Sequence, residues 1–332
     1  MTLRSKTFSA VRWTASGSII KTALQVVQVA ILARILSPED YGLMALVLLV
    51  LGFATLFADF GLNSAFLQRR EVTNNQRSSL YWLNVLISLG LMFLVITLSP
   101  LFANFFNDDR LVFLISLSSL NFFLAALGIQ VRMAAEKSLR FRAVMIVEVF
   151  SALIGLSLSV AAAIAGWGVY SLVVGVVSSS FVTTVLLWVY VSDGWRPKAR
   201  FKLSEVQPFL GFGGALVANN FVNHVRSTLD LFFGGRMLAA SQLGLYSVPR
   251  ELVFRVQSVV NPIITRVAFP LIAEVQHDVT KVRSIYLQTL NMTASTNAPI
   301  YLAMSFFASD FVAILLGGGW EGSVGLLQIL AL

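Results

Sequence analysis

The sequence predicts an all-α polytopic membrane protein built from two pseudo-symmetric six-helix bundles, the second incomplete in this chain. Three observations carry that expectation. Of the 332 residues, 57% are hydrophobic and only 12% charged, where a soluble domain is about a quarter charged. Apolar stretches long enough to cross a hydrocarbon core of about 30 Å recur along the whole chain. Residues 33–46, A-R-I-L-S-P-E-D-Y-G-L-M-A-L, return in altered form at residues 235–248, G-R-M-L-A-A-S-Q-L-G-L-Y-S-V.

The spans are expected at 11–36, 42–67, 79–104, 111–131, 142–165, 168–191, 207–235, 244–270 and 285–310, with a tenth beginning near Gly322. They lack the alternating polarity of barrel strands, which excludes a transmembrane β-barrel. The first span follows Arg4 and Lys6, with Arg12 at its edge, at full length and with no small-residue cleavage site, so it reads as a retained helix rather than a signal peptide. Between spans two and three lie Arg69, Arg70 and Arg77; between four and five Arg132, Lys137, Arg140 and Arg142; between six and seven Arg196, Lys198, Arg200 and Lys202; between eight and nine Arg266, Lys281 and Arg283. The alternate loops, such as Ser37-Pro38-Glu39-Asp40 and Gly166-Trp167-Gly168, are short and poor in Lys and Arg. Every second loop is therefore basic, which predicts a cytoplasmic N-terminus and accounts for the net charge of +8 without any nucleic-acid partner.

Residues 192–206, with Asp193-Gly194 and Arg196-Pro197, read as a linker between an N-terminal lobe of six spans, 1–195, and a C-terminal lobe of about four, 196–332. The final apolar run is too short to span, which predicts further helices beyond Leu332. In the repeat Arg34 matches Arg236, Leu36 matches Leu238, and Gly42-Leu43 matches Gly244-Leu245. Six spans separate the copies, so both have the same orientation, a parallel repeat about an axis along the membrane normal. Transporters with such repeats bind substrate where the copies meet.

Polar residues inside the spans mark candidate sites, because a charged side chain near a helix centre costs roughly 2.5–3.5 kcal/mol and turns toward a partner or water. In span one, Thr14, Ser18, Lys21, Gln25 and Gln28 form a stripe. In span seven, Asn219, Asn223, Arg226 and Asp230 share one helical face. Span eight carries Glu251, Arg255 and Ser258 on one face, and span nine Gln288, Asn291 and Ser295. A substrate cavity at the lobe interface is expected from Lys21, Gln25, Gln28, Asn219, Asn223, Arg226 and Arg255. The bland alternative is internal neutralisation, Arg226 with Asp230 and Glu251 with Arg255 at i, i+4. Glu148, Asp230 and Glu251 are candidates for coupling to a cation, H+ or Na+, with Glu148 the isolated intramembrane acid. His224 is a titratable group beside the stripe, and the commoner reading of such a lone His is structural. With no cysteine, no metal-ligand cluster and no phosphate-cradling loop in context, no cofactor, metal or catalytic residue is expected.

Residues 33–46, then D-F-G-L-N-S-A-F-L-Q at 59–68, S-T-L-D-L-F-F-G-G-R-M-L from Ser227, and A-F-P-L-I-A-E-V-Q at 268–276 together resemble bacterial polysaccharide flippases. These are exporters of lipid-linked oligosaccharide repeat units, close to the colanic-acid and teichuronic-acid exporters. Their superfamily also holds multidrug exporters of the MATE type and the lipid II flippase. The resemblance covers the whole chain, and family members carry about twice six spans plus a pair. It implies that Asp59 belongs to a structural turn and Pro270 is a family feature. It further implies a V-shaped pair of bundles in the bacterial inner membrane that flips undecaprenyl-diphosphate-linked oligosaccharide by alternating access, with polysaccharide assembly machinery as a further partner. Arg, whose fork grips phosphate oxygens, suits such a ligand. The alternatives are an ion-coupled multidrug exporter on the same architecture, and a membrane glycosyltransferase or polymerase. The last is disfavoured because no sizeable outer loop carries catalytic groups.

Overall fold

The computed structural model describes residues 3–58, 61–69, 71–210 and 213–332, with side-chain surroundings for these except 3–11, 15, 208, 210, 213–216, 258–270 and 273. Asp59 and Arg70 therefore lie outside the described residues, as do the side chains of Arg4, Lys6, Pro208, Ser258, Pro262, Arg266 and Pro270. The helices are α1 (Leu3–Leu32), α2 (Pro38–Ala58), α3 (Leu62–Gln68), α4 (Asn74–Phe106), α5 (Arg110–Lys137), α6 (Phe141–Ile164), α7 (Tyr170–Leu186), α8 (Leu203–Leu210), α9 (Gly213–Met237), α10 (Ala240–Glu274), α11 (Val279–Phe306), α12 (Ala308–Leu315) and α13 (Ser323–Leu330). A π-helical turn, Leu187–Val191, extends α7. No strand occurs among the described residues.

Among the described residues six helices, α1, α2 and α4 to α7 (with its π turn), are long and apolar enough to cross a membrane, and α11 with α12 forms a seventh candidate bent by 77°. Helices α9 and α10, of 25 and 35 residues, reach spanning length too. The structure breaks two of the spans expected from sequence. Span two divides into α2 and α3, with Gly61 at φ 73 before the short helix. Span nine bends at Phe307, beyond Pro299, which lies inside α11.

Local chemistry fixes the helix ends. Thr73 caps α4 reciprocally: its Oγ accepts from the Gln76 amide at 3.2 Å, while Gln76 Oε1 accepts from the Thr73 amide at 3.0 Å. Asn107 closes α4 in the left-handed conformation, φ 55. Asp278 accepts from the first amides of α11 at 3.1 Å. Between α4 and α5, Arg110 binds Asp108 at 2.7 Å and Glu39 at 2.6 Å; its hydrogen bonds hold the Asp108 carboxyl below the usual carboxylate range.

Helices α4 and α5 pack together, as do α6 and α7, and α1 lies along α6. The halves meet chiefly where α2 packs on α10 and α9. At this seam the repeat takes physical form. A Cβ on Gly42 would lie 1.8 Å from the Ala240 carbonyl oxygen, and one on Gly244 would lie 1.7 Å from that of Pro38. Pro38 and Ala240 are themselves equivalent in the repeat, so the contact is reciprocal. Only glycine permits so close an approach of two backbones. Around the seam, buried Trp320 donates from Nε1 to the Ala33 carbonyl at 2.9 Å and meets Tyr41 edge-on at 5.3 Å. Arg34 donates to the Ile314 carbonyl at 2.6 Å, and its counterpart Arg236 lies 5.8 Å over the Phe105 ring. Each arginine of the repeat thus reaches into the opposite half.

The opposite end carries the basic segments, and aromatic rings hold them. Arg77 lies 3.8 Å over Trp195, Arg69 4.5 Å over Phe209, and Arg142 5.1 Å over Trp13. The linker turns at Asp193 and Gly194, both at positive φ. It then docks on α4, where Trp82 donates to the Lys198 carbonyl at 2.8 Å and Ser79 to Glu205 at 2.6 Å. It ends in α8, a separate short helix that straddles the expected boundary between linker and span seven.

Candidate functional site

Two polar cavities lie side by side and share the α1 residues Gln25 and Gln28. The first, of about 450 Å³, lies within the N-terminal half between α1, α5, α6 and α7. Small residues make it. A Cβ on Gly155 would lie 2.8 Å from the Gly175 carbonyl oxygen, and one on Gly175 would lie 2.9 Å from Ser159 Cβ. Helices α6 and α7 therefore run close, and Ser159 secures them by donating to the Ser171 carbonyl at 2.8 Å.

Glu148, only 8% exposed, is the electrostatic centre of this pocket. One carboxylate oxygen pairs with Lys21 Nζ at 3.0 Å and the other with Arg132 Nη2 at 2.8 Å. Arg132 Nε also donates to Glu136 at 2.8 Å. The expectation that Glu148 is an isolated intramembrane acid is corrected: it binds two cations and joins three helices. Arg132 was expected in a loop, but α5 continues to Lys137 and carries it into the pocket wall.

The second cavity, also about 450 Å³, is a crevice between α1, α2 and α7 on one side and α9 and α10 on the other. Arg255 donates from Nη1 to Gln25 Oε1 at 2.7 Å, joining the halves, and pairs with Glu251 on its own helix. Beside it Arg250 pairs with Asp230, with one bond at 3.0 Å, and donates to the Ser227 carbonyl. Tyr246 donates to the same carboxylate at 2.6 Å. The internal pair between Arg226 and Asp230, the alternative to the cavity reading, does not form; Arg250, across the α9–α10 hairpin, takes Asp230 instead. The Glu251–Arg255 pair does form.

A third cavity, of about 390 Å³, is almost wholly apolar. Thr22 and Val26 of α1, Leu252 and Val256 of α10, Met304 of α11 and Leu315 of α12 are among its walls, and it touches the polar crevice at Arg255.

The expected single cavity is thus divided. Lys21, Gln25 and Gln28 line the pocket of the N-terminal half, while Gln25, Gln28, Glu251 and Arg255 line the crevice. Asn219, Asn223 and Arg226 share an exposed face of α9 and line neither cavity, with Asn223 bonded to the Asn219 carbonyl at 3.0 Å. Gln288, Asn291 and Ser295 are exposed on α11. His224 packs between α9 and α2, with its ring edge-on to Phe53 at 4.8 Å, in keeping with the structural reading. The sequence reading did not single out Arg132, Arg250, Tyr246, Asn121 or the α7 hydroxyls. The run Ser178-Ser179-Ser180 followed by Thr183-Thr184 within an apolar span was the available signal for the last.

The comparisons agree with this architecture. The chain is 31% identical over 330 residues to the lipopolysaccharide biosynthesis protein WzxC of Escherichia coli (strain K12), covering 99% of this chain and 67% of that protein. It is 28% identical over 324 residues to the teichuronic acid biosynthesis protein TuaB of Bacillus subtilis (strain 168), covering 98% and 67%. Among solved structures, an inward-facing MATE family multidrug transporter superposes with a TM-score of 0.68 at 14% identity, over 93% of this chain and 75% of that one. The lipid II flippase MurJ in an inward closed conformation superposes with a TM-score of 0.65 at 12% identity, over 96% and 70%. These two establish the fold. A family model described as polysaccharide biosynthesis protein matches residues 31–325, and the chain belongs to that family.

Proposed function

We propose that the protein flips a lipid-linked oligosaccharide, carried on undecaprenyl diphosphate, from the cytoplasmic to the periplasmic face of the bacterial inner membrane. The observation that carries this reading is the meeting of an apolar cavity and a polar crevice at Arg255. A ligand with an apolar tail and an anionic, hydroxylated head matches that junction: the tail lies along α10 to α12, the diphosphate at Arg255, and the sugars toward Gln25 and Gln28. The names of the relatives, which concern lipopolysaccharide and teichuronic acid biosynthesis, support the same substrate class.

In this reading residues 1–195 and 196–332 are lobes that alternate about the Gly42–Gly244 seam, with the N-terminus and the basic segments cytoplasmic. The paired acids Glu148, Asp230 and Glu251 are the groups through which H+ or Na+ is coupled, since neutralising any of them releases its cationic partner. The flipped oligosaccharide then passes to polysaccharide assembly machinery. Deleting the gene is expected to abolish the surface glycan and to leave its lipid-linked repeat unit on the cytoplasmic leaflet. An intact surface glycan with no accumulated lipid would sink the proposal.

A further inference from the structure

The pocket of the N-terminal half contains charges that cancel. Lys21 and Arg132 face Glu148, and Arg132 also faces Glu136, all within 3.0 Å. What remains for a ligand is a set of neutral groups. Gln28 from α1, Asn121 from α5 and Ser179, Ser180 and Thr183 from α7 all line the cavity and are partly exposed. No side-chain hydrogen bond occupies any of them among the described residues, whereas the neighbouring Ser178 and Thr184 are bonded to backbone carbonyls at 2.5 and 2.7 Å. Amides and hydroxyls both donate and accept, as sugar hydroxyls do. The volume of about 450 Å³ lies within the range of about 300–1,000 Å³ for small-molecule sites. The Lys21–Glu148–Arg132 chain ties α1, α6 and α5 together, so these walls are fixed before a ligand arrives.

We infer that this pocket is a binding subsite for an uncharged sugar unit, distinct from the crevice at Arg255. It reads the glycan while the crevice holds the anionic linkage. This deepens the proposed function and rests on it: Gln25 and Gln28 border both cavities, so one head group extends from the first into the second.

The test uses the purified protein in proteoliposomes and two probes, undecaprenyl diphosphate bearing a neutral oligosaccharide and undecaprenyl diphosphate without sugar. The variant Asn121→Leu/Thr183→Val is expected to weaken binding of the glycan-bearing lipid by at least about tenfold, because a site that hydrogen-bonds sugar hydroxyls loses those bonds. Binding of the bare diphosphate stays unchanged. The conservative Asn121→Gln and Thr183→Ser variants retain glycan binding. An equal loss for both probes, or no loss for the glycan-bearing one, overturns the subsite. If the double variant does not fold, Ser180→Ala decides by the same comparison. Wild-type protein that binds neither lipid overturns the proposed function, and the subsite with it.

Discussion

Glu148 holds Lys21 and Arg132 at once, and the two cations approach it from different helices. Replacing it by Gln leaves Lys21 with no anion and Arg132 with Glu136 alone. Glu148→Gln is expected to destabilise the protein by about 1–3 kcal/mol, below the scale of a fully buried pair because both cations are more than a third exposed, read as a lower thermal midpoint in detergent. Adding Lys21→Met is expected to recover much of that loss, since Arg132 still has Glu136. A double variant no more stable than the single one would count against the ion-pair account. Lys21 and Glu148 were legible in the sequence because charge stands out in an apolar run. Arg132 was not, because falling hydropathy marks a helix end even where the charges responsible are paired inside the bundle. Arg250 was missed for a different reason: spacing along one helix pairs Asp230 with Arg226, while the hairpin that brings Arg250 to it is a tertiary fact.

At the scale of elements, the α2–α10 crossing depends on two missing side chains. The overlap at Gly42 and Gly244 is with backbone carbonyls, 1.8 and 1.7 Å from the added Cβ, so no rotamer change relieves it. Gly42→Val and Gly244→Val are each expected to cost about 1–3 kcal/mol, the range for an overpacked interior, and by comparable amounts in thermal unfolding. A free energy unchanged by either substitution would mean that the helices already part easily. The spans themselves were readable from apolar length. Their interruptions were less so: the turn at Gly61 is signalled only by Asp59 and the family resemblance, and the 77° bend at Phe307 falls in the apolar run Phe306-Phe307-Ala308.

For the whole molecule, the alternation of basic and poorly basic loops predicted which ends lie together, and the structure gathers them accordingly. The side each end faces is open to direct measurement, because the chain contains no cysteine. With single cysteines introduced, Ser37→Cys and Glu321→Cys are expected to react in intact cells with a membrane-impermeant maleimide. Lys198→Cys reacts only after permeabilisation. The reverse pattern would overturn the proposed orientation. The sequence reading placed all its polar stripes around one space. Spacing along one helix does not encode the packing that turns the α1 stripe toward the pocket of its own half, or that Asn219, Asn223 and Arg226 line neither cavity.

The seam between Gly42 and Gly244 also bears on how independently its two sides can vary. Pro38 faces Gly244 as Ala240 faces Gly42, which is how two identical subunits meet across a two-fold axis. Here such a dimer-like contact is made within one polypeptide. In a true homodimer every mutation strikes both sides together. In one chain the two leaves are separate text, Pro38-Glu39-Asp40 on one and Ala240-Ser241-Gln242 on the other. Each can be adjusted without disturbing its twin, a freedom that a symmetric dimer lacks.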